Sequence, residues 1–307
     1  MLKCLNEGCE YLKHSNILNN NGFFCCKACK KNKGHGRFCE KIKKTTLTIE
    51  HNAGFFSCCS VKLHFIVMYF NENKKLPDEV DSSKQFLLYK HSDELQNKDA
   101  SFEFFEHYDT IAKEIQYIKH IGDFPHNDWS SNYKKLDYVS IQPFINKYFT
   151  PNKKIIEMRD SLIAEFGIDV KNCIGVYIRG TDKYIDTPLG SYEEYYQKIK
   201  QVIELNKQSQ VLLQSDDGGF LNYIKGKDIQ NLIILNKTSV SFNKTGAHFS
   251  SNNLQNYKDI QYLISIFLII SKCKYIILNS SNCSLFIMYY RGNSENVYQF
   301  SNNVWNE

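Results

Sequence analysis

Beyond residue 150, short continuous apolar runs alternate with stretches in which apolar positions recur every three or four residues. Continuous runs mark strands buried on both faces, and the wider spacing marks helices with one buried stripe. The pattern predicts helix 153–166, strand 173–178, helix 191–205, strand 210–214, a short helix from Gly219, strand 231–235, helix 257–271, strand 275–278 and a helix from Cys283. Alternation of this kind implies a parallel sheet with helices on its faces. Thr150-Pro151-Asn152 reads as the junction that opens the region, with Thr150 or Asn152 capping the first helix.

Ahead of that junction the rhythm weakens. Residues 45–50 have the β-branched content of a strand, 51–57 read as a loop containing Gly54, and 60–71 carry Val61, Leu63, Ile66, Val67 and Phe70 at near-helical spacing. Strand, glycine loop and helix make one βα unit of a nucleotide-binding-like lobe, although one glycine is a weak fingerprint. Residues 81–149 are rich in tyrosine and phenylalanine without a dominant period, and acceptor recognition falls to them by elimination.

The first 44 residues follow neither period, and their character comes from cysteine. Eight of the eleven cysteines lie within the first 59 residues. Cys4, Cys9, Cys25, Cys26, Cys29 and Cys39 interleave there with His14 and His35. Thiolates and imidazoles at short spacing suit tetrahedral zinc, and so short a segment has too little core to hold itself together. These eight residues are the candidate ligands of a structural zinc module. They exceed one tetrahedral set, so either two ions bind or some thiols are spectators. A disulfide knot would need an oxidising compartment, for which nothing else in the chain argues. Asn19-Asn20-Asn21-Gly22 reads as a turn, and the lysine-rich 27–33 stretch suits a solvated face as well as a nucleic-acid patch.

Length and composition widen the picture only a little. A chain of 307 residues with 42% hydrophobic side chains can build two α/β lobes, or one large domain, plus an appendage. The expected division is 1–44, 45–150 and 151–307. A net charge of +5, spread along the chain, admits an anionic ligand without calling for a polyanion such as nucleic acid. No apolar run reaches the roughly 18 residues of a membrane span. The first residues lack the apolar core of a signal peptide, so a soluble, cytoplasmic protein is expected.

Three predicted strand ends hold polar clusters. They are Arg179-Gly180-Thr181-Asp182-Lys183, Ser215-Asp216-Asp217 and Asn279-Ser280-Ser281-Asn282. The carboxyl edge of an open α/β sheet is where ligands bind. The planar fork and permanent charge of Arg179 suit a diphosphate, although a strand end with an exposed salt bridge would carry the same residues. Asn279 to Asn282 precede a helix whose first N–H groups could cradle phosphate. Asp259, in the first turn of the 257–271 helix, can accept two bonds from the guanine edge; the same position also suits a plain helix-terminal charge.

In their order these motifs resemble the superfamily of α1,6-, nodulation, α1,2- and protein O-fucosyltransferases, most of all its α1,6 group. A strand ending in Arg-Arg-Thr-Asp-Lys is that family's signature, and it stands here as Arg179-Gly180-Thr181-Asp182-Lys183. Residues 52–70 match its first glycine loop and helix, Asp216-Asp217 its acidic pair, and Gly246-Ala247-His248 its Gly-x-His segment. Asp259 matches the helix aspartate and Ser280-Ser281-Asn282 the late Ser-Ser-Gln. The resemblance covers roughly residues 45–75 and 150–300, leaving the cysteine module outside.

The resemblance implies an α/β fold of GT-B type, two Rossmann-like lobes with the small Cys/His module added, and a last helix that packs back on the first lobe. It also implies metal-independent, inverting transfer from GDP-fucose to a glycan or protein hydroxyl, with no catalytic cofactor. Arg179 would hold the β-phosphate, with Asp182 and Lys183 as its catalytic neighbours. The nucleotide sugar would be met by Gly54, Tyr177, Asp216, Asp217, His248, Asp259, Ser280, Ser281 and Asn282. Gly180 stands where the family has a second arginine, and Asn282 where it has glutamine. The nearest carboxylates for a base are Asp182 and Asp186. Another nucleotide-deoxysugar donor remains open, as does a zinc-module binding protein with a degenerate transferase lobe.

Overall fold

The computed structural model describes residues 4–7, 9–12, 23–37, 39–41, 45–106, 125–235 and 237–307. His14 and the expected 19–22 turn lie outside the described residues. Two compact units divide the chain, one comprising Met1–Ile49 and Met68–Asp81 and the other Glu50–Val67 and Ser82–Glu307.

In the first unit, one buried cluster is built on cysteine sulfur. Cys4, Cys9, Cys25, Cys26 and Cys29 are buried together, with Tyr11, Phe24 and Ala28 packed on them, and their thiols are free. The single turn α1 (Lys27–Lys30) is capped by Cys26, whose sulfur accepts the Cys29 N–H at 3.4 Å.

Strand β1 (Thr46–His51) forms where β-branched content predicts it, and β2 (Glu79–Gln85) pairs with it in a two-stranded sheet. Helix α2 (Phe55–Asn73) starts five residues before the predicted 60, so the expected loop shrinks to residues 52–54. The Gly54 carbonyl takes the N–H of Ser57 and of Cys58, and the buried Phe55 and Phe56 supply the apolar first turn. Between residues 86 and 149 the described chain is mostly short 3-10 turns followed by α3 (Tyr138–Tyr148), which accounts for the missing period.

The rest of the second unit is the predicted alternation. It runs α4 (Lys153–Phe166), β3 (Cys173–Ile178), α5 (Tyr192–Leu205), β4 (Gln210–Ser215), α6 (Gly218–Lys225), β5 (Leu232–Ile234), α7 (Ala247–Ser250), α8 (Asn253–Ile270), β6 (Tyr275–Asn279), α9 (Asn282–Arg291), β7 (Val297–Ser301) and β8 (Val304–Asn306). Asn152, not Thr150, caps α4, its side chain accepting the Ile155 N–H at 3.1 Å. Ser191 and Glu194 form a reciprocal capping box at the start of α5.

The strands lie in the order β5-β4-β3-β6-β7-β8, parallel except for β8. Sheet growth reverses direction between β3 and β6, which opens a crevice at their carboxyl ends. Every residue of β3 is buried. Ile174, Val176 and Ile178 pack in one cluster with Ile199 and Val202 of α5 and Phe220 and Ile224 of α6. On the opposite face, the Tyr177 ring meets Phe267 of α8 edge-on at 4.9 Å. A Cβ on Gly175 would come within 2.9 Å of Ile270, so only glycine lets the end of α8 approach the strand this closely.

Candidate active site at the sheet crossover

A cavity of about 460 Å³ opens at this crevice, within the size range of small-molecule sites. Arg179 leaves the end of β3, and its backbone is clamped from β6. The Asn279 amide accepts the Arg179 N–H at 2.9 Å and donates to the Arg179 carbonyl at 2.8 Å. Two carboxylates then aim the guanidinium, Asp182 at 2.5 Å and Asp216 from the end of β4. Asp216 also accepts the Gly180 N–H at 2.8 Å and the Thr181 hydroxyl at 2.6 Å. One side chain thus fixes the whole turn, including Thr181, which is held at φ 39°.

The same turn accounts for glycine at position 180. A Cβ on Gly180 would stand 2.5 Å from Asp217, whose carboxylate caps α6 through the Phe220 N–H. Arginine at 180 would therefore cost either the cap or the turn.

Lys183 lies almost wholly buried, paired with Asp186 at 2.9 Å and with its ammonium 3.6 Å from the Trp129 ring centroid. Burial pulls its pKa down, and the bond to Asp186 opposes the shift. Asp259 sits on another wall, accepting the Ser239 N–H at 3.1 Å and the Gln255 amide at 2.7 Å. Each carboxylate oxygen has two acceptor sites, so both can still take a bond from a ligand. His248 lines the cavity with its pKa pushed down to about 4, chiefly by burial and then by the Arg179 charge. At neutral pH it is an uncharged imidazole.

The amino end of α9 closes the crevice. Ser281 caps it, its hydroxyl accepting the Ser284 N–H at 3.1 Å. Asn282 and Cys283 line the cavity in the first turn, where N–H groups have no carbonyl within the helix to bond. The Asn282 amide oxygen accepts the Ser60 hydroxyl of α2 at 2.7 Å.

Of the residues named from the sequence, Gly54, Tyr177, Arg179, Asp182, Lys183, Asp216, His248, Asp259, Ser281 and Asn282 all line this one cavity. Asp217 and Ser280 do not. Asp217 caps α6 and accepts the Tyr192 hydroxyl at 2.8 Å, while the Ser280 hydroxyl is turned to Gln299 at 2.8 Å. Tyr89 and Asn256 were not anticipated. The Tyr89 hydroxyl accepts the Phe55 N–H at 2.8 Å, and Asn256 donates to the His248 carbonyl at 2.9 Å. Both hold backbone around the site, and nothing local in the sequence marks them for it.

In the first unit, two groups of donors each have their ligand atoms within 4.8 Å of one another: Cys4, Cys9, Cys25 and Cys29, and Cys25, Cys26, His35 and Cys39. Seven of the eight expected ligands thus gather into clusters able to hold metal, and the eighth, His14, lies outside the described residues. No helix among the described residues is long and apolar enough to cross a membrane.

No protein-family model matches the chain, and no curated protein matches it. Solved structures do. A NodZ α1,6-fucosyltransferase co-crystallised with GDP superposes with a TM-score of 0.52 at 12% identity, over 85% of this chain and 96% of that one. A NodZ α1,6-fucosyltransferase soaked with GDP-fucose gives 0.52 at 11%, over 84% and 95%. The selenomethionine form of fucosyltransferase NodZ from Bradyrhizobium gives 0.53 at 13%, over 86% and 98%. At such identity the likeness is one of fold. The chain has the α/β, GT-B type fold of NodZ, with a Cys/His cluster at its amino end.

Proposed function

We propose that this chain, built on the NodZ fold, is an inverting, metal-independent glycosyltransferase that moves fucose from GDP-fucose to a hydroxyl of a glycan or protein. The observation that carries the reading is the meeting of Arg179, the amino end of α9 and Asp259 around one cavity at the sheet crossover. A guanidinium and unpaired helix N–H groups suit a diphosphate. A carboxylate with acceptor capacity on the far wall suits the guanine edge.

In the proposed reaction the acceptor oxygen bonds to C1 of fucose on the face opposite the diphosphate. The C1–O bond breaks as its electron pair passes to the β-phosphate, and the hydroxyl proton leaves to a base. Arg179, with the N–H groups of Asn282 and Cys283, stabilises the charge that collects on the leaving phosphate. Asp182 and Asp216 hold the guanidinium in place for this work. Lys183, beside Asp186, adds a cation to the same wall. Gly54 and the Tyr177 backbone border the nucleotide sugar, Ser281 and Asn282 shape the phosphate end, and Asp217 and Ser280 act from behind the wall.

We assign the Cys/His clusters to structural zinc. Four sulfur or nitrogen donors at this spacing match zinc chemistry, and the module has little else to order it. Residues 1–44 would then be the zinc module, 45–150 the acceptor side and 151–307 the donor side. Eleven free cysteines suit a reducing compartment such as the cytoplasm. The test is release of GDP from GDP-fucose with a mixed glycan acceptor library, with and without a chelator of divalent cations at a level that leaves the zinc bound. Acceptor-dependent release unaffected by the chelator is expected. Release only from UDP- or dTDP-sugars would sink the donor assignment.

A further inference from the structure

The two donor groups in the amino-terminal unit have one residue in common, Cys25. Two separate tetrahedral sites need eight donors; two sites that share one thiolate need seven. The described residues supply seven: Cys4, Cys9, Cys25, Cys26, Cys29, His35 and Cys39.

The spacings within each group fit a metal-centred tetrahedron. Zn–S bonds of about 2.3 Å at tetrahedral angles put sulfurs roughly 3.7 Å apart. The Cys4 and Cys29 sulfurs are 3.7 Å apart and those of Cys9 and Cys25 3.6 Å. In the second group the His35 Nδ1 lies 3.3 Å from the Cys25 sulfur and 3.5 Å from that of Cys39. Cys25 therefore stands at bonding spacing to a member of each group.

The surroundings suit thiolates. The Cys26 sulfur accepts the Cys29 and Gly36 N–H groups at 3.4 and 3.5 Å, and the Cys29 sulfur accepts the Asn6 amide at 3.3 Å. Such outer bonds orient ligands and disperse their charge. The Tyr11 ring meets His35 edge-on at 4.6 Å, fixing the imidazole plane. Six thiolates against two dications leave a negative excess, and Lys27, Lys30, Lys31, Lys33 and Arg37 lie in the same stretch of chain to offset it.

We propose that the amino-terminal unit binds two zinc ions joined by the Cys25 thiolate, with Cys4, Cys9 and Cys29 completing one site and Cys26, His35 and Cys39 the other. This rests on the zinc reading above and specifies its count and connectivity. The bridge couples the two sites, because loss of either ion turns Cys25 from a bridging into a terminal ligand of the other. The seven described donors suffice for both sites, and His14 lies outside the described residues.

The test uses the full chain. Elemental analysis should give two zinc ions per chain, both for the wild type and for His14→Asn. After replacement by cadmium-113, the metal NMR spectrum should contain two resonances, each split by coupling through the shared sulfur. Two unsplit resonances, or loss of one ion in His14→Asn, would overturn the bridge and leave the zinc assignment intact. A single ion per chain would overturn the two-metal proposal alone. No metal would remove both this inference and the zinc reading beneath it.

Discussion

The cysteine module and the crossover sheet solve the same problem by different means. At the crossover, polar side chains stay in place because β3, buried along its whole length, carries them on a layered apolar core. In the module the functional groups are themselves the core, since five buried cysteines stand where a larger domain would put leucine and isoleucine. A site resting on a core can lose one of its members and keep its fold. A site that is the core cannot, and on the proposed zinc reading its stability rests on the metal.

Metal removal separates the two regions most strongly. A structural zinc in a small module is worth roughly 10–16 kcal/mol of apparent binding energy, and that energy is folding energy. Stringent chelation should therefore open the described residues of the module, 23–37 among them, to protease while the sheet keeps its amide protection; loss of protection in both would show that the contrast is wrong. Within the sheet, Arg179→Ala should cost about 100- to 1,000-fold in transfer rate, and, because Asp182 and Asp216 lose their shared cation, it should lower the melting temperature without abolishing the fold. An unchanged rate would take the guanidinium out of the mechanism.

His248 gives the contrast a pH dependence. Its pKa lies near 4 in the folded chain and about 6.5 when unfolded, so the unfolded state takes up the proton first as pH falls. The stability it contributes is whole above pH 6.5 and is lost as pH drops toward 4, by about 3 kcal/mol in total. Denaturant titrations at pH 7 and pH 4.5 should show a smaller loss for His248→Gln than for the wild type. Equal losses would mean that the imidazole is not held neutral. The smallest effect is a packing one. Gly175→Ala, which would press a methyl group onto Ile270, should destabilise the sheet by about 1–3 kcal/mol without altering metal content.

Much of this was legible in the sequence, and the unread parts share a cause. The buried strands and capped helices of the second half announce themselves because each is decided by its own residues. The polar strand ends do meet at one cavity, yet neighbours there diverge, with Asp216 turned to Arg179 and Asp217 turned to cap α6. Local spacing holds no trace of that choice. Gly180 looked like a lost arginine, whereas its small size answers to Asp217, thirty-seven residues away in the chain. Residues 86–106 resisted parsing because 3-10 turns have no long period to detect. In the module the donor types were plain, but which thiols gather around which centre is a matter of three-dimensional pairing that spacing leaves open.

The most direct test of the central claim is calorimetric titration of the purified chain with GDP and with UDP, without added metal, for the wild type and for Asp259→Ala. The account predicts that the wild type binds GDP in clear preference to UDP, and that Asp259→Ala loses the preference. Equal binding of the two nucleotides by the wild type, or binding of neither, would contradict it.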